Sequence, residues 1–299
     1  MTVNLTNTGL REIANGFDLY YIDIWGVLHN GIKLHEEAVN TLLKLDELGK
    51  EYILLTNAPR PNSDVIKFLK KLGLDDERSS KVYTSGQCSL DYLNNQKKGD
   101  KFFHIGPPRD FGLFNNFKSL KQEKIEDSDY LLCTGLFDQN QELEFYKKLL
   151  TSYKDKDMIC TNPDLIVDRG KVREYCAGSI AKLFEELGGK VKYFGKPYPM
   201  VYQKSTNLQN KKVLCIGDNL NTDIKGSNIQ NFNSLFILNG IHKNENQNEL
   251  NKLFKEYEVD VNYIQEELKW WKWRYLRILK FLVNILIQLF LSETLMEYI

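Results

Sequence analysis

Along most of the chain, short apolar runs ending in a polar residue alternate with stretches whose apolar residues recur at helical spacing. A chain patterned this way has few ways to bury itself, because buried strands that alternate with amphipathic helices assemble as βαβ units around a mostly parallel sheet. LYYID (19–23), YILLT (52–56), VLCIGD (213–218) and SLFILNG (234–240) read as such strands. EEAVNTLLKLDELG (36–49) and SDVIKFLKKLGL (63–74) read as helices that stop at a glycine, the residue that most readily closes a helix C-terminus. The expected fold class is therefore α/β, with a doubly wound parallel sheet.

At 299 residues the chain exceeds the usual size of one domain. Residues 86–190 carry their own strand candidates, FFHIG, YLLCTG and MICTNP, and interrupt the first unit. The predicted organisation is a core of 1–85 and 191–270, an inserted α/β cap domain of 86–190, and a C-terminal tail of 271–299.

Charge and cysteine usage narrow the function. Forty basic residues balance forty acidic ones, so the chain offers no overall field for nucleic acid. The five cysteines, Cys88, Cys133, Cys160, Cys176 and Cys215, are scattered, without metal-ligand or disulfide-framework spacing. Three lie inside apolar runs and read as reduced core residues. With no secretory signal pattern at the N-terminus, a cytoplasmic setting is expected. A homo-oligomer is one expectation.

In doubly wound sheets ligands gather where strand C-termini meet helix N-termini, and four polar positions follow the apolar runs. Asp23 lies in DIWGVLHNG, Thr56 and Asn57 in LLTNAPR, Lys196 in GKPYP, and Asp218 with Asp223 in GDNLNTD. Any one of them has a structural alternative as a helix N-cap or a solvated surface residue. Together they amount to a carboxylate nucleophile, donors for phosphate oxygens, a cation, and a carboxylate pair suited to a hard metal such as Mg²⁺. No G-x-G-x-x-G follows the first strand and no G-x-x-x-x-G-K-[ST] occurs, which disfavours nicotinamide-dependent and P-loop enzymes.

These segments, in this order, resemble the motifs of the haloacid dehalogenase (HAD) superfamily. GVLHNG, LTNAPR, TNPD, YFGKPYP and GDNLNTD are similar to its class IIA branch, and DIWGVLHNG to a subgroup with a DxWGVLHxG signature. The resemblance implies a Rossmann-like core with a C2-type cap and a Mg²⁺-dependent phosphohydrolase acting on a small phosphorylated metabolite, such as a sugar phosphate or nucleotide. By the same resemblance Asp23 would be phosphorylated and then hydrolysed. Thr56, Asn57 and Lys196 would bind phosphate, and Asn162 and Asp164 of TNPD would face the substrate. Asp23, the backbone carbonyl of Trp25 and Asp218 would hold the metal, with Asp223 supporting it.

One position departs from the pattern. Phosphatases of the superfamily usually carry a second aspartate two residues after the nucleophile as general acid and base, and this chain has Trp25 there. An indole cannot serve. Open alternatives are a leaving group that departs unaided, an acid from elsewhere, a binding or scaffold protein without turnover, or a dehalogenase-like hydrolase. His29 is the nearest candidate acid, with a hydrogen-bonding loop histidine as the alternative; Arg60 is a candidate for an anionic substrate group, with a surface arginine as the alternative.

In the tail, Arg277, Lys280, Asn284 and Gln288 form a narrow polar stripe on an otherwise apolar helical pattern. Trp270, Trp271 and Trp273 beside Lys272, Arg274 and Arg277 suit an interfacial belt, so peripheral membrane contact is one expectation. Docking on the core or on a second subunit is the other. The uncharged stretch 281–291 is shorter than the roughly 20 residues a membrane-spanning helix needs.

Overall fold

In a computed structural model, which describes residues 2–169 and 172–271, the strands in chain order are β1 (Val3–Asn4), β2 (Leu19–Ile22), β3 (Glu51–Thr56), β4 (Val82–Thr84), β5 (Phe102–Ile105), β6 (Lys121–Gln122) and β7 (Tyr130–Cys133). They continue as β8 (Asp157–Cys160), β9 (Ile166–Arg169), β10 (Val172–Tyr175), β11 (Lys190–Tyr193), β12 (Val213–Gly217), β13 (Asn233–Ile237) and β14 (Tyr263–Gln265). One seven-stranded sheet runs β1-β14-β13-β12-β2-β3-β4, and a second, five-stranded sheet runs β11-β8-β7-β5-β6. Every pairing within both sheets is parallel. An antiparallel hairpin of β9 and β10 stands apart from both.

The central strands are those whose residues are apolar throughout. β2, β7 and β12 are buried along their whole length, as strands covered on both faces must be. Helices Glu36–Glu47 and Asn62–Lys71 put Ala38, Leu42, Leu45, Val65 and Leu69 into the cluster that holds Tyr20, Ile22 and Leu54. The glycines expected to end them, Gly49 (φ 64°) and Gly73 (φ 102°), take the left-handed conformation that an L side chain resists. A separate cluster around Leu131, Met158, Ile180 and Phe184 gives the second sheet its own core.

Two expectations are corrected. The limit at residue 190/191 cuts through β11, which pairs with β8 through Tyr193; Val191 and Tyr193 pack on the second core, a tertiary pairing that single-strand patterning does not show. Trp270 and Trp271 do not belong to a membrane belt. Trp270 is buried in the first core and Trp271 packs against it, with the Arg11 guanidinium 5.7 Å from the Trp271 ring centroid. Leu10 and Arg11 N–H donate to the carbonyls of Lys269 and Trp270, tying the N-terminal segment to the stretch after β14. The rest of the tail, including Trp273, Arg277, Lys280, Asn284 and Gln288, lies outside the described residues. Among those described, no helix is long and apolar enough to cross a membrane.

Candidate active site

The C-terminal ends of β2, β3 and β12 lie side by side, which brings Asp23, Thr56-Asn57 and Asp218 to one edge of the sheet. Lys196 arrives from the segment after β11, and its nitrogen is the hub. Nζ donates to Asp23 Oδ1 at 2.5 Å, Asp223 Oδ1 at 2.6 Å and the Leu55 carbonyl at 3.1 Å. An ammonium has three donors, and all are used. Burial alone would lower the Lys196 pKa, but the Asp223 and Asp23 carboxylates outweigh it and hold the group charged.

Asn57 keeps that lysine in place. Its Oδ1 accepts the Lys196 backbone N–H at 2.7 Å, while its Nδ2 donates to the Lys196 carbonyl at 3.0 Å and to Asp164 Oδ1 at 2.9 Å. The approach is so close that a Cβ on Gly195, whose φ is 110°, would lie 2.5 Å from Asn57 Oδ1; only glycine meets both demands. Asn57 thus joins strand end, lysine loop and cap.

Asp23, Asp218 and Asp223 are all buried, and each offers a carboxylate oxygen within 4.8 Å of those of the other two. Backbone donors orient them: Ile241 N–H donates to Asp218 Oδ2 at 2.7 Å, and Asn219 N–H to Asp223 Oδ2 at 3.1 Å. A Cβ on Gly240 or Gly26 would come within 1.9 or 2.3 Å of Asp218 Oδ2, so two loops wrap that carboxylate with bare backbone. Three hard oxygen donors facing one lysine carry more negative than positive charge, and a divalent oxygen-seeking cation fits such a set.

The protonation behaviour agrees. Burial, with Asp223 adding to it, raises the Asp218 pKa to about 7, and burial raises Asp23 well above the ordinary carboxylate range despite the nearby Lys196. A carboxyl raised in the folded state contributes stability that is complete below its unfolded value, near 3.9, and is lost as pH rises through about 7. The metal-free protein should therefore lose melting temperature between pH 6 and pH 8. A bound divalent ion replaces those protons, so the increase on adding Mg²⁺ should be larger at pH 8 than at pH 6. Equal increments in a thermal-shift titration would show that these carboxylates do not hold the ion.

A cavity of about 350 Å³ opens above the cluster, lined on the core side by Asp23, Trp25, Thr56, Asn57 and Asp218 and on the cap side by Asp164, Ile166 and Val167. A neighbouring cleft of about 440 Å³ shares Ile166, Asn219 and Ile241 with it, so space continues between core and cap. Thr56 is buried, and its Oγ1 accepts the Ala58 N–H at 3.2 Å. Cap and core meet here through Asp164.

Other expected residues are placed differently. Asn162 does not line this cavity; its Oδ1 accepts the Asp164 N–H at 3.1 Å and shapes the loop instead. His29 is buried, its Nδ1 accepts the Gly31 N–H at 2.8 Å, and its ring meets Trp25 and Phe68 edge-on. Burial lowers its pKa to about 4, so it is neutral near pH 7 and acts as a loop brace. Arg60 also leaves the cavity, its Nε pairing with Asp110 at 2.9 Å. Sequence patterning missed the Ile241 amide, which carries no side-chain signal, and Thr222, which lies inside GDNLNTD and lines the cavity.

A family model described as haloacid dehalogenase-like hydrolase matches residues 20–117, and a second, HAD-hydrolase-like model matches residues 193–263. A 4-nitrophenylphosphatase of Schizosaccharomyces pombe is 24% identical over 266 residues, spanning 79% of this chain and 88% of its own length. The ribonucleotide monophosphatase NagD of Escherichia coli K12 is 25% identical over 225 residues, spanning 73% of this chain and 86% of its own. A crystal structure of a haloacid dehalogenase-like hydrolase from Brucella suis superposes with a TM-score of 0.74 at 27% identity, covering 87% of this chain and 99% of that one.

The parallel core with its inserted second sheet and the family matches on both core segments agree, and the chain belongs to the haloacid dehalogenase-like hydrolases. Within them it belongs to class IIA.

Proposed function

We propose that the chain is a Mg²⁺-dependent phosphatase of small phosphate monoesters that works through an aspartyl-phosphate on Asp23. The observation that carries this reading is the hub at Lys196, whose ammonium holds the Asp23 and Asp223 carboxylates together at the floor of a cavity. The two relatives are named as phosphatases.

The chemistry follows from charge. A phosphate monoester is anionic and repels a carboxylate, so the site has to neutralise one before the other can attack. Lys196 supplies one positive charge beside the Asp23 oxygen it holds. Asp23, Asp218 and Asp223, with the backbone carbonyl of Trp25, are the groups that would hold Mg²⁺, which when bound neutralises phosphoryl charge and orients the transferring group. Thr56 and the Asn57 backbone sit at the end of β3, where they can donate to phosphoryl oxygens. Asp23 then attacks phosphorus, and the alcohol leaves toward the cap.

Phosphate release from a panel of monoesters tests this. Release should occur with Mg²⁺ and fall to background in EDTA. Metal-dependent binding of a phosphate ester without any release would instead favour the binding-protein alternative, which Trp25 at the usual acid position keeps specific.

A further inference from the structure

Trp25 lines the cavity where the superfamily resemblance leads one to expect an acid, and His29 is turned away and neutral. Outside the carboxylate cluster and its lysine, the titratable side chains lining this cavity among the described residues are His35, Asp164 and Lys243. Lys243 is exposed at the rim, and His35 sits on the core side before helix Glu36–Glu47. Asp164 alone comes from the cap.

We infer that Asp164 is the catalytic acid and base of this enzyme, protonating the departing oxygen and then deprotonating the attacking water. This rests on the phosphatase assignment above. In-line displacement at phosphorus puts the leaving oxygen opposite the nucleophile. Asp23 comes from the core and Asp164 from the cap, and both line this cavity, so a leaving oxygen directed away from Asp23 toward the cap meets Asp164.

The carboxyl and its loop are both held there. Asn57 Nδ2 donates to its Oδ1 at 2.9 Å. Asn162 Oδ1 takes its backbone N–H at 3.1 Å, and its own carbonyl accepts the Gly178 N–H at 3.1 Å. A Cβ on Gly178 would meet the Pro163 and Asp164 carbonyl oxygens at 2.3 and 2.5 Å, so the loop rests directly on the start of helix Ala177–Glu186. Burial, with Asp223 adding to it, raises the Asp164 pKa to about 6, against the lowering effect of Lys196 and of the Asn57 and Thr222 hydrogen bonds. That value suits a group that must both give and take a proton near neutral pH.

The proton balance closes. In the first step an Asp23 oxygen bonds to phosphorus, the ester P–O bond breaks, and the leaving oxygen takes the Asp164 proton to depart as a neutral alcohol. In the second, water bonds to phosphorus while Asp164 takes its proton. The Asp23–P bond breaks with its electrons returning to Asp23, and inorganic phosphate leaves.

The test compares wild type, Asp164→Asn and His35→Asn on 4-nitrophenyl, phenyl and ethyl phosphate with Mg²⁺. Asparagine keeps an oxygen for Asn57 but has no acidic proton to give. In Asp164→Asn the loss in kcat/KM should grow with leaving-group basicity, from a few-fold for 4-nitrophenyl phosphate to about 10²–10⁴-fold for ethyl phosphate. The same variant should give a burst of nitrophenol and accumulate phosphorylated protein, since the second step lacks its base. Independently of any variant, wild-type kcat/KM for ethyl phosphate should fall with rising pH as the acid ionises, a fall absent with 4-nitrophenyl phosphate. A uniform loss across the esters, or a graded loss in His35→Asn instead, overturns the role of Asp164 alone. Absence of metal-dependent release from wild type overturns the phosphatase assignment and this inference with it.

Discussion

Asp23→Asn should abolish phosphate release, by a factor of about 10⁴ or more, the scale on which removing a covalent nucleophile acts. The substitution keeps the shape of the side chain and leaves an amide oxygen to accept from Lys196 Nζ, whose bond to Asp23 Oδ1 is 2.5 Å. An amide oxygen is a far weaker nucleophile than a carboxylate, so the chemistry is lost while the fold is kept. Intact mass after incubation with substrate should show no phosphorylated protein, and thermal melting should stay within a few degrees of wild type. Residual release above about one part in a hundred, with the same dependence on Mg²⁺, would mean that another group attacks phosphorus.

Lys196→Met should cost about 3–5 kcal/mol of folding stability at pH 7.5 in the absence of metal, the usual consequence of removing one partner from a buried ion network. Lys196 is 4% exposed, and its ammonium is the shared partner of Asp23 and Asp223. Methionine fills much of the same volume but strands those carboxylates. Because burial already raises Asp23 and Asp218, falling pH lets them take protons, and the deficit should shrink toward pH 5.5. Mg²⁺ should restore part of it by supplying the missing charge. Urea unfolding followed by circular dichroism measures all three quantities. A deficit under about 1 kcal/mol at pH 7.5 would place the lysine among ordinary surface pairs and contradict its position as the hub.

Much of this site was legible in the linear chain, because its chemistry lies at strand ends. An apolar run buried on both faces must stop where its backbone reaches the sheet edge, and the next polar residue then lands there. Asp23, Thr56, Asn57 and Asp218 stand at such strand ends, while Lys196 and Asp223 follow them at short range in YFGKPYP and GDNLNTD; the glycines after residues 48 and 72 mark helix ends by their backbone freedom. The short pairings were less visible: β1, β6 and β14 are only two or three residues long and carry too little periodicity to stand out.

What the chain alone determined is therefore the α/β alternation, the cap-like insertion and the carboxylate and lysine residue types that gather at the strand ends, since each depends on local spacing. Tertiary structure decided the rest. His29 and Arg60 read as candidates because their side chains could reach a ligand, yet one is turned into a Trp25–Phe68 contact and the other onto Asp110. Trp270 read as part of an interfacial belt and is core. Asn162 and Asp164 look equivalent in TNPD, but only the aspartate reaches the cavity. The physical reason is that a side chain's direction is set largely by contacts distant in the chain, Phe68 for His29, Asp110 for Arg60, the first core for Trp270 and Asn57 for Asp164, which exist only once the chain has folded.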